Sequence, residues 1–416
     1  MGENVKVEKI WNPIFISVFV ASIAISLGQN MMNTLVPKFA DSLGATATVV
    51  GVVASMFTIT ALAVRPFSNP AFDSFSKKKL LILFLADVMI SFFIYSSAHS
   101  IPVLIVARLM QGAGTGCITP LLLAMAADAL PVDKLGSGIG VYMIGGSIAQ
   151  ALGPNIGLNM SAAIGYNKSF LIGAAIMFVG ILTCIPMKEV PSKKLPYRIT
   201  LKNMLAREAI PFSFLMMMMM IAGCSIGSYI AIYAGILGVQ NIGLYFTVSA
   251  VFLLFVRPIA GKISDTKGFD KVILPGILIY IVAFIMMSKA KTLPQFLLVS
   301  LVSALGNGIA YPAIQAVSMK TVPLERRGSG TSTNYIFVDI ANLIGPMMAG
   351  MLIDNFIARG VPTADAYANT YRLMIIPLAI AFVFAFKIRK RLVGIDIPAQ
   401  SIEEDEPSVI ETEDNE

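Results

Sequence analysis

The sequence predicts an all-α membrane protein whose twelve transmembrane helices form two pseudo-symmetric six-helix halves. Three observations lead to this fold class: the composition, the spacing of long apolar runs, and a repeat that relates the first half of the chain to the second. Hydrophobic residues make up 56% of the 416 residues and charged residues only 13%. Because a soluble protein of this length could not bury so much apolar surface, most of it must face lipid.

The apolar runs divide the chain into spans of about 20 residues, each long enough to cross about 30 Å of hydrocarbon. The first six cover residues 13–36, 46–69, 80–98, 102–129, 136–160 and 167–187, and the second six cover 209–236, 240–260, 272–288, 293–319, 328–353 and 369–392. The expected domains are therefore an N-terminal half at residues 1–187 and a C-terminal half at 209–392, joined by a cytoplasmic linker at 188–208.

The repeat includes fourteen identical residues that recur at one constant offset of 192 and shape or anchor helices. The pairs are Gly51/Gly243, Arg65-Pro66/Arg257-Pro258, Asp73/Asp265, Lys79/Lys271, Gly114/Gly306, Gly116/Gly308, Pro120/Pro312, Pro131/Pro323, Gly136-Ser137-Gly138/Gly328-Ser329-Gly330 and Gly153-Pro154/Gly345-Pro346. A constant offset over so long a stretch indicates duplication of one ancestral unit. Such halves are typical of membrane transporters, which bind their ligand where the halves meet.

The distribution of charge predicts the orientation in the membrane. Most Lys and Arg residues fall in the predicted cytoplasmic segments and at the inner ends of the helices. The outer loops hold only six basic residues: Lys38, Lys168, Lys289, Lys291, Arg359 and Arg372. By the positive-inside rule both termini face the cytoplasm. The net charge of +7 is explained by this bias, so no nucleic-acid partner is expected.

Other segments add little chemistry. The N terminus shows no cleavable signal peptide. Cys117, Cys184 and Cys224 fall within predicted helices without paired spacing, which indicates small buried hydrophobes rather than a disulfide or metal site. The tail at 393–416 carries eight acids and no base over residues 401–416, so we expect it to be disordered. Short loops without a folded outer domain favour a bacterial inner membrane.

Several motifs together resemble the major facilitator superfamily, and within it the twelve-helix drug/proton antiporter type. They are Arg65-Pro66…Asp73…Lys77-Lys78-Lys79 with its closer second copy from Arg257 to Gly268, Arg108-Leu-Met-Gln111-Gly112-Ala-Gly114 in the fourth span, and Gly153-Pro154-Asn-Ile-Gly157 in the fifth. The first copy departs from the family pattern at Asn69, where a Gly is expected. The resemblance implies the fold, and it implies a proton-transfer role for Arg108.

The repeated loop motif suggests a gate. A carboxylate at Asp73 or Asp265 can pair with Arg65, Arg257 or a helix N-terminus in one conformation only. Gly-Pro at Gly153-Pro154 and Gly345-Pro346 would kink a helix and permit close packing, which suits a hinge. Plain positive-inside anchoring by lysines and ordinary helix packing are the alternatives.

Ionisable residues inside the bilayer are functional candidates, because an unpaired charge there costs at least about 2.5–3.5 kcal/mol. Asp339 lies eleven residues beyond Gly328, roughly 16 Å deep, so it must face a cavity, pair, or be protonated. This is what a proton-coupling carboxylate requires, and Ser147 stands at the duplicated position. Asp87 is a second candidate acid. Arg108 has the structural alternative of snorkelling or forming an ion pair.

Polar side chains within the spans suggest a substrate pocket. The candidates are Asn30, Gln150, Tyr229, Tyr233, Asn307, Tyr311, Gln315 and Asn334, although any one of them can instead be a helix–helix hydrogen bond.

Together these features predict a monomeric secondary active transporter that exports small amphipathic molecules by proton antiport with alternating access. No enzyme activity, cofactor or metal is expected, because no nucleophile–base pair, metal cluster or phosphate-binding Gly-x-x-x-x-Gly-Lys-Ser/Thr occurs. One alternative is a proton-coupled importer or uniporter of a sugar or organic acid on the same fold. Another is a membrane sensor or scaffold that does not transport.

Overall fold

The computed structural model describes residues 10–131, 134–187, 205–323 and 327–393. Most of the linker and all of the tail after residue 393 lie outside the described residues, so the expectations for them stay predictions. Thirteen helices are described: α1 Pro13–Ser42, α2 Ala47–Ser74, α3 Lys77–Ser96, α4 Ile101–Asp128, α5 Leu135–Ile164, α6 Tyr166–Cys184, α7 Ile210–Ile236, α8 Leu244–Lys267, α9 Asp270–Met287, α10 Leu293–Lys320, α11 Arg327–Ala358, α12 Thr363–Leu373 and α13 Ile375–Val393.

Eleven stretches of these helices, one of them formed by α12 and α13 together, are long and apolar enough to cross a membrane. The remaining predicted span is α5, which has 30 residues. The described part of the chain contains helices and no strands. The all-α membrane fold predicted from composition is therefore confirmed.

Successive helices alternate in direction, so the bundle has two ends. We call the end that holds the first residues of α1 the N face and the opposite end the far face. The N face is tied together by Asn12, whose side-chain oxygen accepts the Phe15 amide at 2.9 Å and caps α1. Its amide nitrogen donates to the carbonyl of Ala129 just after α4, at 2.7 Å.

Most helices extend past their predicted ends. For example, α1 continues to Ser42 and α5 to Ile164, because hydropathy falls where a helix leaves the hydrocarbon although its backbone hydrogen bonds continue. The last span differs more. It was predicted as one helix at 369–392, but α12 ends at Leu373 and α13 begins at Ile375. Pro377 has no amide hydrogen and its ring would clash with the carbonyl four residues earlier, at Leu373.

Each half packs by the same plan, as the repeat requires. In the first half α1 packs on α5 and α2 on α4, and in the second half α7 packs on α11 and α8 on α10. The duplicated glycines permit close approach: a Cβ on Gly114 would meet the Phe84 carbonyl of α3 at 3.0 Å, and one on Gly306 would meet the Tyr280 amide of α9 at 2.5 Å. The halves meet chiefly along two seams, α2 with α11 and α5 with α8.

Candidate functional site

An ion pair joins the two halves within the α2–α11 seam. Nη2 of Arg65 lies 3.1 Å from Oδ2 and 3.2 Å from Oδ1 of Asp339. Asp339 is twelve residues into α11, which places it about 18 Å from the N-face end of that helix. The gating candidate and the proton-coupling candidate are thus brought together, in one contact that the sequence did not predict.

The pair is only partly screened from solvent. The Asp339 side chain is 8% exposed and that of Arg65 26% exposed. The guanidinium of Arg65 also lies over the ring of Tyr335, one turn before Asp339, at 4.8 Å from the ring centroid. A cation held between a carboxylate and an aromatic face is positioned without being fully desolvated. Such a pair can therefore break when the carboxylate takes up a proton.

The far-face end of the same seam is held by a second carboxylate of α11. Oδ1 of Asp354 accepts the amide of Ala47 at 3.0 Å, and Oδ2 accepts that of Thr48 at 2.8 Å. These are the first amides of α2, so an acid of the second half caps a helix of the first. The hydroxyl of Tyr229 adds to the contact, lying 2.7 Å from the carbonyl oxygen of Ala47 and 3.0 Å from that of Pro346.

The α5–α8 seam, which the repeat makes the counterpart of the α2–α11 seam, holds neither acid. Offsetting Asp339 and Asp354 by 192 residues leads to Ser147 and Ala162. The seam is closed near the far face, where Thr247 donates to the carbonyl of Ala151 at 3.0 Å. Towards the N face Met143 of α5 is 62% exposed. The two seams are therefore chemically unequal.

Arg108 lies fully buried between α4 and α1. Its Nη1 donates to Oε1 of Gln111 at 3.0 Å and its Nη2 to the carbonyl of Met32 at 3.2 Å. The Tyr95 hydroxyl donates to the same Gln111 oxygen at 2.7 Å, and the Phe57 ring lies 5.4 Å from the guanidinium. No acid pairs with Arg108 in the described residues, so the ion pair considered for it is not formed. Its proton-transfer role stays a prediction.

Asp87 is half-buried where α3 meets α4. One of its carboxylate oxygens is buried without a hydrogen-bond partner, and a Cβ on Gly114 would lie 2.8 Å from it. The contact is within the first half, away from both seams. Asp87 and Asp339 therefore belong to two separate sites.

The proposed pocket residues do not form one cluster. Asn334 is buried and accepts from Ser213 of α7 and Ser318 of α10, at 2.5 and 2.8 Å, which is a helix–helix role. Asn30 likewise donates to the Ser26 carbonyl of its own helix at 2.8 Å. Tyr229 belongs to the far-face contact described above. Side chains that remain at least partly accessible are Gln150, Asn307, Tyr311 and Gln315.

Tyr233 lies in a far-face cleft of about 600 Å³ within the second half. Its ring stacks on that of Tyr367 at 5.9 Å between centroids, and its hydroxyl donates to the Ala290 carbonyl at 3.4 Å. The cleft is also lined by Lys289, Lys291 and Arg372. It is separated from the Arg65–Asp339 pair, so Tyr233 and the other pocket candidates do not share one site.

The Gly-Pro motifs pack mainly inside each half. A Cβ on Gly153 would lie 2.7 Å from Cβ of Asn30 in α1, and one on Gly345 would lie 2.7 Å from the Ile221 carbonyl in α7. Pro154 is buried in the same stretch of α5. Pro346 does reach the other half, because a Cβ on Gly51 would lie 2.9 Å from its carbonyl carbon.

Two gating candidates can be placed only in part. Asp73 and Asp265 lie in the last turns of α2 and α8, and their side chains are outside the described residues. Arg257 is exposed on α8 and forms no ion pair in the described part of the chain. The repeated Arg-Pro…Asp motif as a gate stays a prediction.

Four contributors to the seam carry little signal in the sequence. Asp354 lies close to the end of its helix, where an acid needs no special explanation, and Thr48 and Ala47 contribute only backbone amides. Tyr335 is one of many aromatic residues in the spans. Its position four residues before Asp339 is the one available signal, because residues at that spacing share a helix face.

The organisation of two docked six-helix units also appears in comparisons with known proteins. The family model of the Major Facilitator Superfamily matches residues 18–265 and again residues 212–408. The chain belongs to the major facilitator superfamily. The family resemblance drawn from the motifs is thereby confirmed, and the protein is a multi-pass membrane transporter.

Similar proteins include two that are named for multidrug resistance and one that is named for export. Multidrug resistance protein MdtG of Enterobacter lignolyticus is 24% identical, over 92% of this chain and 93% of the relative. The staphylopine export protein of Staphylococcus aureus is 23% identical over 61% and 66%. Multidrug resistance protein 1 of Bacillus subtilis is 22% identical over 79% and 86%.

Solved superfamily structures share the fold. A bacterial homologue of the human lysosomal transporter Spinster, in an inward-facing and unoccupied conformation, superposes with a TM-score of 0.76 at 15% identity, covering 92% of this chain and 97% of that one. The nucleoside transporter NupG also gives 0.76, at 14% identity and coverages of 91% and 99%.

Proposed function

We propose that this superfamily member is a secondary active exporter that moves small amphipathic molecules out of the cell in exchange for protons, by alternating access. The observation that carries the proposal is the Arg65–Asp339 pair. It joins a side chain of one half to a side chain of the other. It also lies at a depth in the bilayer where an acid is costly and is therefore a candidate for a functional role. The name of one relative, the staphylopine export protein, supports export as the direction.

In this proposal the N face lies in the cytoplasm and the protein acts as a monomer. The excess of Lys and Arg in the segments at that face supports the orientation. The inter-half contacts of Asp354, Tyr229 and Thr247 then lie on the outer side. The described conformation corresponds to one in which the outer side is closed.

The ion pair gives proton binding a mechanical effect. With Asp339 ionised, Arg65 is held against α11 and the two halves stay joined at that depth. Protonation of Asp339 removes the charge that Arg65 needs, so the α2–α11 contact weakens and the halves can move relative to each other. The difference must be modest, about 1–3 kcal/mol, because both conformations have to be populated in each cycle.

The first prediction concerns this acid. Asp339→Asn keeps the shape of the side chain but cannot take up a proton, so uphill transport driven by a pH gradient should be lost while downhill exchange and binding continue. The measurement is accumulation of a panel of fluorescent lipophilic cations, zwitterions and organic acids in proteoliposomes with an imposed pH gradient.

His99→Ala, an exposed loop position, serves as the control and should transport like the wild type. Uphill accumulation by Asp339→Asn would overturn the assignment of the coupling acid. Movement of the substrate in the same direction as the protons would instead support the importer alternative.

A further inference from the structure

The duplication gave each half one arginine at equivalent positions, and their surroundings differ. Arg65 of α2 is paired with Asp339 across the seam. Arg257 of α8 makes no hydrogen bond or ion pair with any residue in the described part of the chain, although it lies within a stretch long and apolar enough to span the membrane. An unpaired cation at that depth needs either water or an anionic partner.

The position of Arg257 on its helix shows where it points. Val251, Phe255 and Ile259 recur every four residues and are 48%, 66% and 61% exposed, which marks the lipid-facing side of α8. Arg257 is two residues from Phe255 and from Ile259, so it lies about 200° around the helix from them. Its exposed side chain therefore faces the space between the halves rather than lipid.

The repeat also identifies which partner is missing. Arg65 finds its carboxylate on α11, and the equivalent position on α5 is Ser147. The Ser147 hydroxyl donates to the carbonyl of Met143 in its own helix, at 3.2 Å. The α5 side of this seam therefore offers Arg257 no charge.

Polar groups on the two helices that pack against α8 can assist an anion without neutralising the arginine. Tyr311 of α10 lies near enough to Arg257 to act on it electrostatically, and it is only partly buried. Gln150 lies one turn beyond Ser147 on α5 and is exposed. Hydroxyl and amide groups donate hydrogen bonds to a carboxylate or phosphate, whereas a guanidinium can bind one through two parallel bonds.

We propose that Arg257 binds an anionic group, a carboxylate or a phosphate, of the transported molecule. This inference deepens the proposed function, since it names the substrate class for the site between the halves. The anionic group of the substrate would pair with Arg257 in the way that the Asp339 carboxylate pairs with Arg65. An amphipathic acid or zwitterion fits this requirement, because its apolar part can contact Met143 of α5 and Leu254 of α8, which are both exposed.

The test measures binding, so that its outcome does not depend on proton coupling. The probes share a phenylhexyl skeleton that ends in a carboxylate, a phosphate, an amide or an ammonium group. Binding to the full-length protein is measured by equilibrium dialysis in nanodiscs made only of phosphatidylcholine. We expect the wild type to bind the carboxylate and the phosphate about tenfold more tightly than the amide.

Four variants locate that preference. Arg257→Gln should abolish it and Arg257→Lys should retain part of it, because Lys keeps the charge but not the planar fork. Ser147→Asp should also abolish it with Arg257 intact, because the new carboxylate occupies the arginine, whereas Ser147→Asn should bind like the wild type. An unchanged preference in Arg257→Gln, or no preference in the wild type, would overturn the proposal.

A lipid headgroup is the other source of the same anionic chemistry. Adding phosphatidylglycerol to the nanodiscs should leave the carboxylate affinity of the wild type unchanged if Arg257 serves the substrate. A loss of affinity in the wild type, absent in Arg257→Gln, would assign the arginine to lipid instead. Failure of Asp339→Asn to uncouple transport would leave these binding results intact, so the two proposals fail separately.

Discussion

At the scale of single residues, Arg108 is the most unusual side chain in the first half, because it is fully buried and its charge is not neutralised by any acid in the described residues. Gln111 is its main polar partner and also accepts from Tyr95. One amide oxygen thus satisfies two buried donors. We infer that Gln111, which the sequence showed only as part of a motif, is needed to keep Arg108 in place.

Gln111→Leu should destabilise the protein by about 3 kcal/mol, because it leaves the buried Arg108 guanidinium and the Tyr95 hydroxyl without the acceptor that they share. Gln111→Glu keeps the acceptor and adds an opposite charge, so it should unfold at or above the wild-type temperature. Thermal unfolding in detergent measures both. Gln315→Leu, at an exposed position of α10, is the matched control and should change little; equal unfolding temperatures for the two leucine variants would contradict the prediction.

At the scale of helices, glycine decides how closely α4 approaches α2. A Cβ on Gly112 would overlap the carbonyl oxygen of Phe57, which is backbone and cannot rotate away. The hydroxyl of Thr60 on α2 donates to the Leu109 carbonyl of α4 at 2.7 Å beside this contact. The two helices are therefore held at a spacing that only glycine permits.

Gly112→Ala should consequently cost about 1–3 kcal/mol, because the two helices must separate to admit one methyl group. Gly146→Ala in α5 is the control, since nothing lies within 4 Å of the position its Cβ would take. That variant should be as stable as the wild type or slightly more so. Thermal unfolding of both in the same detergent decides the matter, and a Gly112→Ala protein as stable as Gly146→Ala would show that the spacing is not set by this residue.

The helices themselves were largely predictable from the sequence, and the split of the last span was not. A long apolar run identifies a span, but its hydropathy is averaged over many residues and does not reveal a break at a single residue. Here the break is at Met374, between the end of α12 and the start of α13. Pro377 was the available signal, because proline disrupts the helix at the residues before it. The short helix α12 is held in place by Tyr367 and Tyr371, which are buried and whose rings pack against Tyr233.

At the scale of the whole molecule, the two seams between the halves are related by the repeat but held by different chemistry. Two carboxylates of α11, Asp339 and Asp354, fasten α2 at two depths about 22 Å apart along the helix. At the equivalent positions α5 has Ser147 and Ala162, so it has no carboxylate at either depth that could bind α8. We therefore expect the α2–α11 seam to control the conformational equilibrium.

Asp354→Asn tests this control at the far face. The variant loses the charge and one of two acceptors for the Ala47 and Thr48 amides, so the far-face-open conformation should gain about 10- to 100-fold in population. Spin labels on cysteines at His99 and Arg359, one exposed position in each half, would report a longer distance. Asp365→Asn is the matched control because Asp365 lines a cleft within the second half. Identical distances in wild type and Asp354→Asn would refute the expectation.

The candidate site shows what a sequence cannot supply. Arg65 and Asp339 were each identified by a local argument, the first from a repeated motif and the second from its depth. Their contact depends on how α2 docks on α11, across 274 residues of chain, and hydrophobic periodicity carries no information on that docking. The same holds for Asp354, whose partners are backbone amides that any sequence possesses.

The anion site proposed at Arg257 has a bioenergetic consequence. An exporter that carries a monoanion outward while one proton moves inward transfers two positive charges into the cell per cycle. Each elementary charge that crosses the membrane potential is worth about 2.3 kcal/mol per 100 mV, so the potential would contribute about 4.6 kcal/mol per 100 mV to each turnover. Export of such a molecule would be driven mostly by voltage, and it would continue when the external pH equals the internal pH.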